Sequence, residues 1–343
     1  MPKKKIALIV EPCELKGPYV LTRAAVVAQL LQEESVFIFL KTTDMRLTEP
    51  FTERGLDVIL FERYEELRKK MRELECHLIL HDGKDTTVDQ VELLRPFCQT
   101  IVHFDDMGIG AELIDCNVLA LFEETPELLA HNTLAGSYAF AVDDKLIETA
   151  QAIEQSARPF NETTPHIVVC YEDGDANNLT YRTLRHLTQL QIPLNISVAI
   201  DEDYLHSVDD LNMMVLSRRG TKLVKGRDAL LSVLPEADVV ICNANFTPYK
   251  IAACGIPCIT AAQTERELSY GLPREMNGFI HIGLGRKMKQ SIIQNAVMEI
   301  LLHEMRRERM VKKQRALDIL GNNDILQALL LDFAYARHNI AHI

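Results

Sequence analysis

The segment ADVVICNANFTPYKIAACGIPCI, residues 237–259, decides the fold of this chain. Residues 239–241 form a β-branched run typical of a strand buried in a parallel sheet, and residues 249–254 are compatible with a helix. Residues 255–257, Gly-Ile-Pro, then end that helix and lead into a second apolar run at 258–261. The segment therefore predicts a strand, a helix and a second strand, which is one repeat of a doubly wound α/β domain.

Short apolar runs alternate with helical patterns along most of the chain. Such alternation predicts βαβ units, with a parallel sheet and helices on both of its faces. The predicted strands cover residues 6–10, 36–40, 58–61, 78–81, 101–104, 118–121, 138–142, 167–170, 196–199, 221–224, 239–241, 258–261 and 279–282. The predicted helices cover residues 20–32, 64–75, 88–94, 145–155, 179–189, 203–213, 228–234, 249–254 and most of the chain from 288 onward. We expect an α/β protein with two Rossmann-like, doubly wound parallel-sheet domains.

A polar segment broken by two prolines, residues 156–165, is the predicted linker. It separates an N-terminal Rossmann-like domain, residues 1–155, from a C-terminal domain with terminal helices, residues 166–343. A chain of 343 residues exceeds what one hydrophobic core usually serves, so two domains of ordinary size are expected.

The composition restricts the classes of partner. A net charge of -12 disfavours nucleic-acid binding, which uses Lys and Arg to neutralise phosphates. The eight cysteines lack the clustered spacing of a zinc site, so we predict no metal and no cofactor. No apolar run reaches the roughly 18 residues of a membrane span, and the run at 6–10 is too short for a signal peptide. We therefore expect a cytoplasmic protein without a transmembrane segment.

A series of short motifs occurs in a characteristic order and spacing. They are Gly17-x-Tyr19-Val20-x-x-Arg23, His103-Phe-Asp-Asp106, Gly136-Ser-Tyr138, residues 170–180, Thr247-x-Tyr249, Gly255-Ile-Pro257 and Gly321-Asn-Asn-Asp324. With them the chain resembles, over nearly its whole length, the PseG/SpsG group of the GT-B superfamily. This group comprises UDP-sugar hydrolases of pseudaminic acid synthesis and spore-coat polysaccharide biosynthesis proteins. The resemblance implies two domains facing across a cleft that holds a UDP- or CDP-linked sugar.

Two adjacent carboxylates are the first candidate catalytic residues. Asp105 and Asp106 follow a predicted strand at its carboxyl end, where ligands of open α/β sheets bind, and could orient a sugar hydroxyl or a water. Alternatively, one of them caps the turn at 107–110 and the other is solvated. Arg23 is a candidate for binding a carboxylate or phosphate in bidentate fashion, or else an exposed helix residue.

The resemblance implies a general-base histidine at the position of Val20, and valine cannot accept a proton. General-base help is worth about 10²–10⁴-fold, so a hydrolase with this change needs another base. Tyr19 and Glu11 are the local candidates. Tyrosine is a poor base because its ordinary pKa is near 10, which leaves Glu11 as the better one.

Two further departures concern the nucleotide. The resemblance implies glycine pairs whose backbone N–H groups meet a diphosphate, but Glu172 and Asp173 replace the first pair and Ala-Asn-Phe, residues 244–246, the second. Two carboxylates would repel a diphosphate. Lys250 stands where relatives carry a glutamate that binds ribose. We predict that Lys250 pairs either with an acidic group of the ligand or with Glu172 or Asp173, which would close the former phosphate site.

The remaining candidates for substrate binding lie near the same helix starts. Thr247 and Tyr249 begin the nucleotide helix by resemblance, together with Lys250. Asp173 and Asn178 precede the helix at 179–189, where Asn178 and its neighbours also read as N-cap residues.

The sequence thus predicts a nucleotide-sugar-processing protein of surface or spore-coat polysaccharide biosynthesis, acting by hydrolysis or transfer at the anomeric carbon. The alternative is a non-catalytic member of the same pathway that binds a sugar or stabilises a partner protein. A Rossmann-type dehydrogenase is disfavoured, because no G-x-G-x-x-G follows residues 6–10.

Overall fold

The chain forms two compact units in a computed structural model that describes residues 2–13, 16–122 and 133–335. The first unit contains the described residues up to Asp143 together with those from Gly321 onward. The second unit spans Asp144–Leu320. Each unit is built around one parallel sheet, as the alternation of apolar runs and helical patterns predicts.

The first unit holds a seven-stranded parallel sheet in the order β3-β2-β1-β4-β5-β6-β7. Its strands are β1 (Lys5–Val10), β2 (Ser35–Lys41), β3 (Val58–Phe61), β4 (Cys76–Asp82), β5 (Cys98–Phe104), β6 (Cys116–Leu119) and β7 (Thr133–Ala135). Its helices are α1 (Tyr19–Leu30), α2 (Glu49–Thr52), α3 (Tyr64–Met71), α4 (Val88–Leu94) and, from the end of the chain, α12 (Asn322–Ala334). The central strands are buried on both faces, which explains their continuous apolar runs.

The second unit holds a six-stranded parallel sheet in the order β10-β9-β8-β11-β12-β13. Its strands are β8 (His166–Cys170), β9 (Asn195–Ile200), β10 (Thr221–Lys225), β11 (Val239–Asn243), β12 (Cys258–Ala262) and β13 (Phe279–Leu284). Its helices are α5 (Asp144–Ser156), α6 (Leu179–Leu187), α7 (Val208–Leu216), α8 (Ala229–Val233), α9 (Thr247–Cys254), α10 (Gln290–Leu302) and α11 (Glu304–Arg315). Gly255 ends α9 in the left-handed conformation at φ 65°, as expected of a glycine C-cap.

Each sheet has one point at which the direction of strand succession reverses. In the first unit it lies between β1 and β4, and in the second between β8 and β11. Ligands of open α/β sheets bind in the crevice at the carboxyl ends of such a pair of strands. In the first unit the crevice is tight, because a Cβ added at Gly83 would lie 2.6 Å from that of Glu11.

One predicted strand, residues 138–142, is not a strand. Ser137–Ala139 forms a 3₁₀ turn instead, and the additional edge strand is β7. Asn322 donates to the carbonyls of Ser137 and Phe140, and the amide of Asn323 both donates to and accepts from the backbone of Val142. These side chains take the place of a neighbouring strand in satisfying the backbone.

The compact units differ from the boundaries expected from sequence in two segments. Helix α5 packs against α8 and α9 and so belongs to the second unit, although it precedes the polar segment 156–165. Helix α12 packs against α1 and β4 and so belongs to the first unit. None of the helices in the described ranges is both long and apolar enough to cross a membrane.

Candidate functional site

Arg23 lies in a buried ion-pair network at the carboxyl edge of the first sheet. Its Nε and one terminal nitrogen bond both oxygens of Asp82 at 2.6 and 2.8 Å, and the other terminal nitrogen bonds Asp105 at 2.6 Å. Burial opposes the charge of Arg23, but Asp82 and Asp105 raise its pKa above the ordinary value. Arg23 is 0% exposed. Because its guanidinium bonds Asp82 at the end of β4 and Asp105 after β5, it links the ends of these two strands.

Asp105 and Asp106, the two predicted catalytic aspartates, bind different partners. Asp105 pairs with Arg23 and accepts the N–H of Leu121 at 2.7 Å. Asp106 accepts from Thr86 and from the N–H of Gly108, which agrees with the turn-capping alternative. Both carboxylates are buried, so the part of that alternative in which the other aspartate is solvated is wrong.

Asp106 also forms a buried pair with His103, with Nδ1 2.6 Å from Oδ2. Burial would raise the pKa of Asp106, but the hydrogen bond of His103, and its charge at low pH where it is protonated, lower that pKa below the ordinary range. For His103, burial disfavours the charged form and lowers the pKa to about 4, although Asp106 acts in the opposite direction. His103 is thus neutral at pH 7, and the short contact indicates that its Nδ1–H donates to Asp106.

Glu11, the predicted substitute base, contacts three polar side chains of the protein. It accepts from the hydroxyl of Tyr64, lies 3.3 Å from Nε2 of His81 and pairs with Lys41 at 3.0 Å. Burial would raise the pKa of Glu11, but His81, Tyr64 and Lys41 together lower it to about 2. Such a carboxylate is a weak base, because an effective general base has a pKa near the working pH.

Tyr19 contributes packing at the start of α1. Its ring stacks on Phe140 with centroids 4.7 Å apart, and its hydroxyl donates to the carbonyl of Ala141 at 2.8 Å. Burial raises the pKa of Tyr19 well above the ordinary value. This agrees with the prediction that Tyr19 is a poor base.

In the second unit, the predicted pairing of Lys250 with Glu172 is present. Nζ of Lys250 lies 2.7 and 2.8 Å from the two oxygens of Glu172, and the hydroxyl of Thr247 lies 2.7 Å from one of them. Burial opposes the charge of Lys250, but Glu172 raises its pKa, so the ammonium form persists. The Glu172 carboxylate thus occupies the start of α9, where an anionic ligand would be held.

Asp173 lies beside this pair, with φ at 64° in the left-handed region. The side-chain amides of Asn243 and Asn245 donate to Oδ2 of Asp173 at 3.1 and 2.8 Å. Burial and the neighbouring charge of Glu172 raise the pKa of Asp173 to about 8. This carboxyl is therefore partly protonated near neutral pH.

A carboxylate of the chain, that of Asp175, also binds backbone N–H groups at the start of α6. Asp175 accepts the N–H groups of Leu179 and Thr180, both at 2.7 Å, from three positions before the N-cap residue. Asn178 is the N-cap residue, but contrary to expectation its side chain makes no capping hydrogen bond. It lies in the left-handed region at φ 51°, and its side-chain oxygen accepts from the hydroxyl of Tyr204. The first two backbone donors of this helix are thus used internally.

Tyr249 is almost completely buried on α9. The carboxyl edge of the second sheet also contains a residue that sequence reasoning did not identify, Glu267. This side chain accepts the N–H groups of Ala244 and Gln263 at 3.2 and 2.9 Å. Burial raises the pKa of Glu267 to about 7.

Other residues of the two edges were also missed. Asp82 at the end of β4 and Asp201 after β9 gave the same signal as Asp105, an aspartate that follows a buried strand. Among the residues that the structure describes, no group of three His, Cys, Asp or Glu could hold a metal ion.

No protein-family model matches the sequence. An uncharacterized protein of Methanocaldococcus jannaschii is 21% identical over 280 residues, which are 76% of this chain and 56% of that protein. The alignment thus spans little more than half of the relative's length.

Solved structures resemble the chain over almost its full length. MurG of Acinetobacter baumannii has a TM-score of 0.66 at 15% identity, covering 95% of this chain and 99% of its own. The UDP-GlcNAc 2-epimerase of Neisseria meningitidis, bound to UDP-GlcNAc, has a TM-score of 0.65 at 10% identity, covering 96% and 100%. HepE of Anabaena, in complex with UDP, has a TM-score of 0.65 at 11% identity, covering 96% and 100%. These similarities establish the GT-B-type fold, and membership of the PseG/SpsG group stays a prediction.

Proposed function

We propose that this chain is a non-catalytic, sugar-binding GT-B protein of surface or spore-coat polysaccharide biosynthesis. The observation that carries the proposal is the contact of Glu172 with Lys250 and Thr247. A diphosphate at the start of α9 would have to displace a carboxylate and break its ion pair. The start of α6 is a poor substitute, because Asp175 already accepts its first two N–H groups.

The candidate catalytic residues of the first unit support the same proposal. Glu11 is 2% exposed and Asp105 and Asp106 are buried, and each is engaged by the protein's own donors. A general base must lie within hydrogen-bond reach of the proton that it removes. Buried carboxylates with low pKa values, as in Glu11 and Asp106, stabilise the sheet edge better than they serve that role.

A second candidate function is hydrolysis or transfer of a UDP- or CDP-linked sugar. One observation favours it: the side chain of Lys250 is 23% exposed, so an anionic ligand has access to its ammonium group. Lys250 could leave Glu172 and pair with a phosphate. Proteins of similar fold bind UDP or a UDP-sugar, including the Neisseria meningitidis epimerase and HepE.

Calorimetric titration with UDP, CDP and their sugar conjugates distinguishes the two functions. We expect no binding of these ligands to the native chain. Glu172→Gln should create UDP binding or strengthen it at least about tenfold, because it frees Lys250 and removes a negative charge. Lys222→Met, an exposed substitution in the same unit, is the control and should have no effect.

Micromolar binding of one conjugate to the native chain, with release of free sugar or transfer to an acceptor, would contradict the non-catalytic function. It would establish the second candidate instead. If all conjugates leave the folded protein silent, a partner protein of the same pathway becomes the next ligand to seek.

A further inference from the structure

We infer that the carboxyl edge of the second sheet binds the ammonium and hydroxyl donors of an amino sugar. The inference rests on the proposed function and names the ligand of that site. The residues concerned form what we call the acceptor cluster: Glu172, Asp173, Asp201, Asn245 and Glu267. They follow β8, β9, β11 and β12 and include both strands of the crevice between β8 and β11.

Asn245 supplies the observation that points to a ligand. Its Nδ2 donates to Asp173 at 2.8 Å, which places its amide group within the acceptor cluster. Oδ1 of the same amide is buried and has no hydrogen-bond partner among the described residues, and Asn245 as a whole is 3% exposed. Buried polar atoms are normally hydrogen-bonded, so this oxygen lacks a donor that a ligand could bring.

Asp201 also has a buried side-chain oxygen that lacks a hydrogen-bond donor among the described residues. Its Oδ2 accepts the N–H of Gly174 at 3.2 Å, whereas its buried Oδ1 has no partner within the described part of the chain. Burial, with the charges of Glu172 and Asp203, raises the pKa of Asp201 to about 6. A positive group nearby would relieve this unfavourable charge.

The charge of the acceptor cluster favours a positively charged ligand over a negatively charged one. It contains the four carboxyl groups of Glu172, Asp173, Asp201 and Glu267, of which Asp173 and Glu267 are partly protonated near neutral pH. Lys250 is bonded to it, and both of its contacts there are with Glu172. A phosphate would add only acceptors and negative charge to such a site. An ammonium group has three donors and no acceptor, and sugar hydroxyls add further donors.

Three probes that differ at one position test the inference: 6-amino-6-deoxyglucose, glucose and glucose 6-phosphate. Titration followed by NMR shifts of the protein should give the tightest binding for the amine, about tenfold or more above glucose, and the weakest for the phosphate. Asp201→Asn should reduce the preference for the amine several-fold. Asp209→Asn, an exposed substitution on α7, is the matched control and should retain it.

Equal or tighter binding of glucose 6-phosphate would overturn the inference, as would an Asp201→Asn protein with an unchanged preference. Silence of all three probes against the folded chain would overturn it too. Failure of the proposed function is detected separately, by turnover of a nucleotide sugar, which these probes do not report.

Discussion

Replacing Arg23 by methionine is expected to lower the free energy of unfolding by about 3–5 kcal/mol, because it leaves two buried carboxylates without their cation. Asp82 and Asp105 each lie 2.6 Å from a nitrogen of Arg23, which is completely buried. A loss of this size is a large part of the roughly 5–15 kcal/mol that stabilises an ordinary protein. Chemical denaturation of the native and substituted chains measures it.

The triple variant with Arg23→Met, Asp82→Asn and Asp105→Asn tests the physical reason. It removes the unpaired charges, and an asparagine at 105 can still accept the N–H of Leu121. We expect it to recover a substantial part of the loss. Arg68→Met, an exposed substitution on α3, is the control and should change stability by less than about 0.5 kcal/mol. A cost for Arg23→Met as small as that of the control would refute the role assigned to the network.

The two units are expected to respond to pH in opposite directions. Unfolding frees His103 to bind a proton below about 6.5, its ordinary pKa, whereas burial in the fold delays this to about 4. The unfolded state therefore binds more protons in this range, and the first unit loses stability as the pH falls. Glu11 extends the loss at lower pH, because its folded pKa of about 2 is below the ordinary 4.5.

In the second unit, the dependence of stability on pH has the opposite sign. Glu267 has a folded pKa of about 7 against an ordinary 4.5, so the folded state holds a proton that the unfolded state has already released. Stability therefore falls as the pH rises from about 4.5 to 7, and Asp173, at about 8, continues the trend. For His103 and Glu267 each effect is roughly 3 kcal/mol when complete.

Hydrogen exchange measured at several pH values, and corrected for intrinsic rates, separates the units. Amides of β1, β4 and β5 should lose protection towards pH 4, and those of β8, β11 and β12 towards pH 8. His103→Gln should flatten the first trend and Glu267→Gln the second, since glutamine can still accept the N–H groups of Ala244 and Gln263. Protection that moves in the same direction in both units would show that other groups control the pH response.

The sequence by itself determined most of the elements and their order. Buried strands in a parallel sheet need continuous apolar runs, and helices that flank them need breaks such as Gly255 and Pro257, so both are visible locally. The prediction failed at residues 138–142, where Asn322 and Asn323 supply the backbone partners from a distant part of the chain. Such a contact leaves no periodic signal.

The sequence also identified Lys250 as a possible partner of Glu172. Only the tertiary structure decided which candidates bind one another. It placed Arg23 between Asp82 and Asp105, residues separated by 59 and 82 positions from it, and it left Oδ1 of Asn245 without a partner among the described residues. Burial and charge compensation depend on which strand ends become neighbours, and that adjacency is a property of the folded sheet.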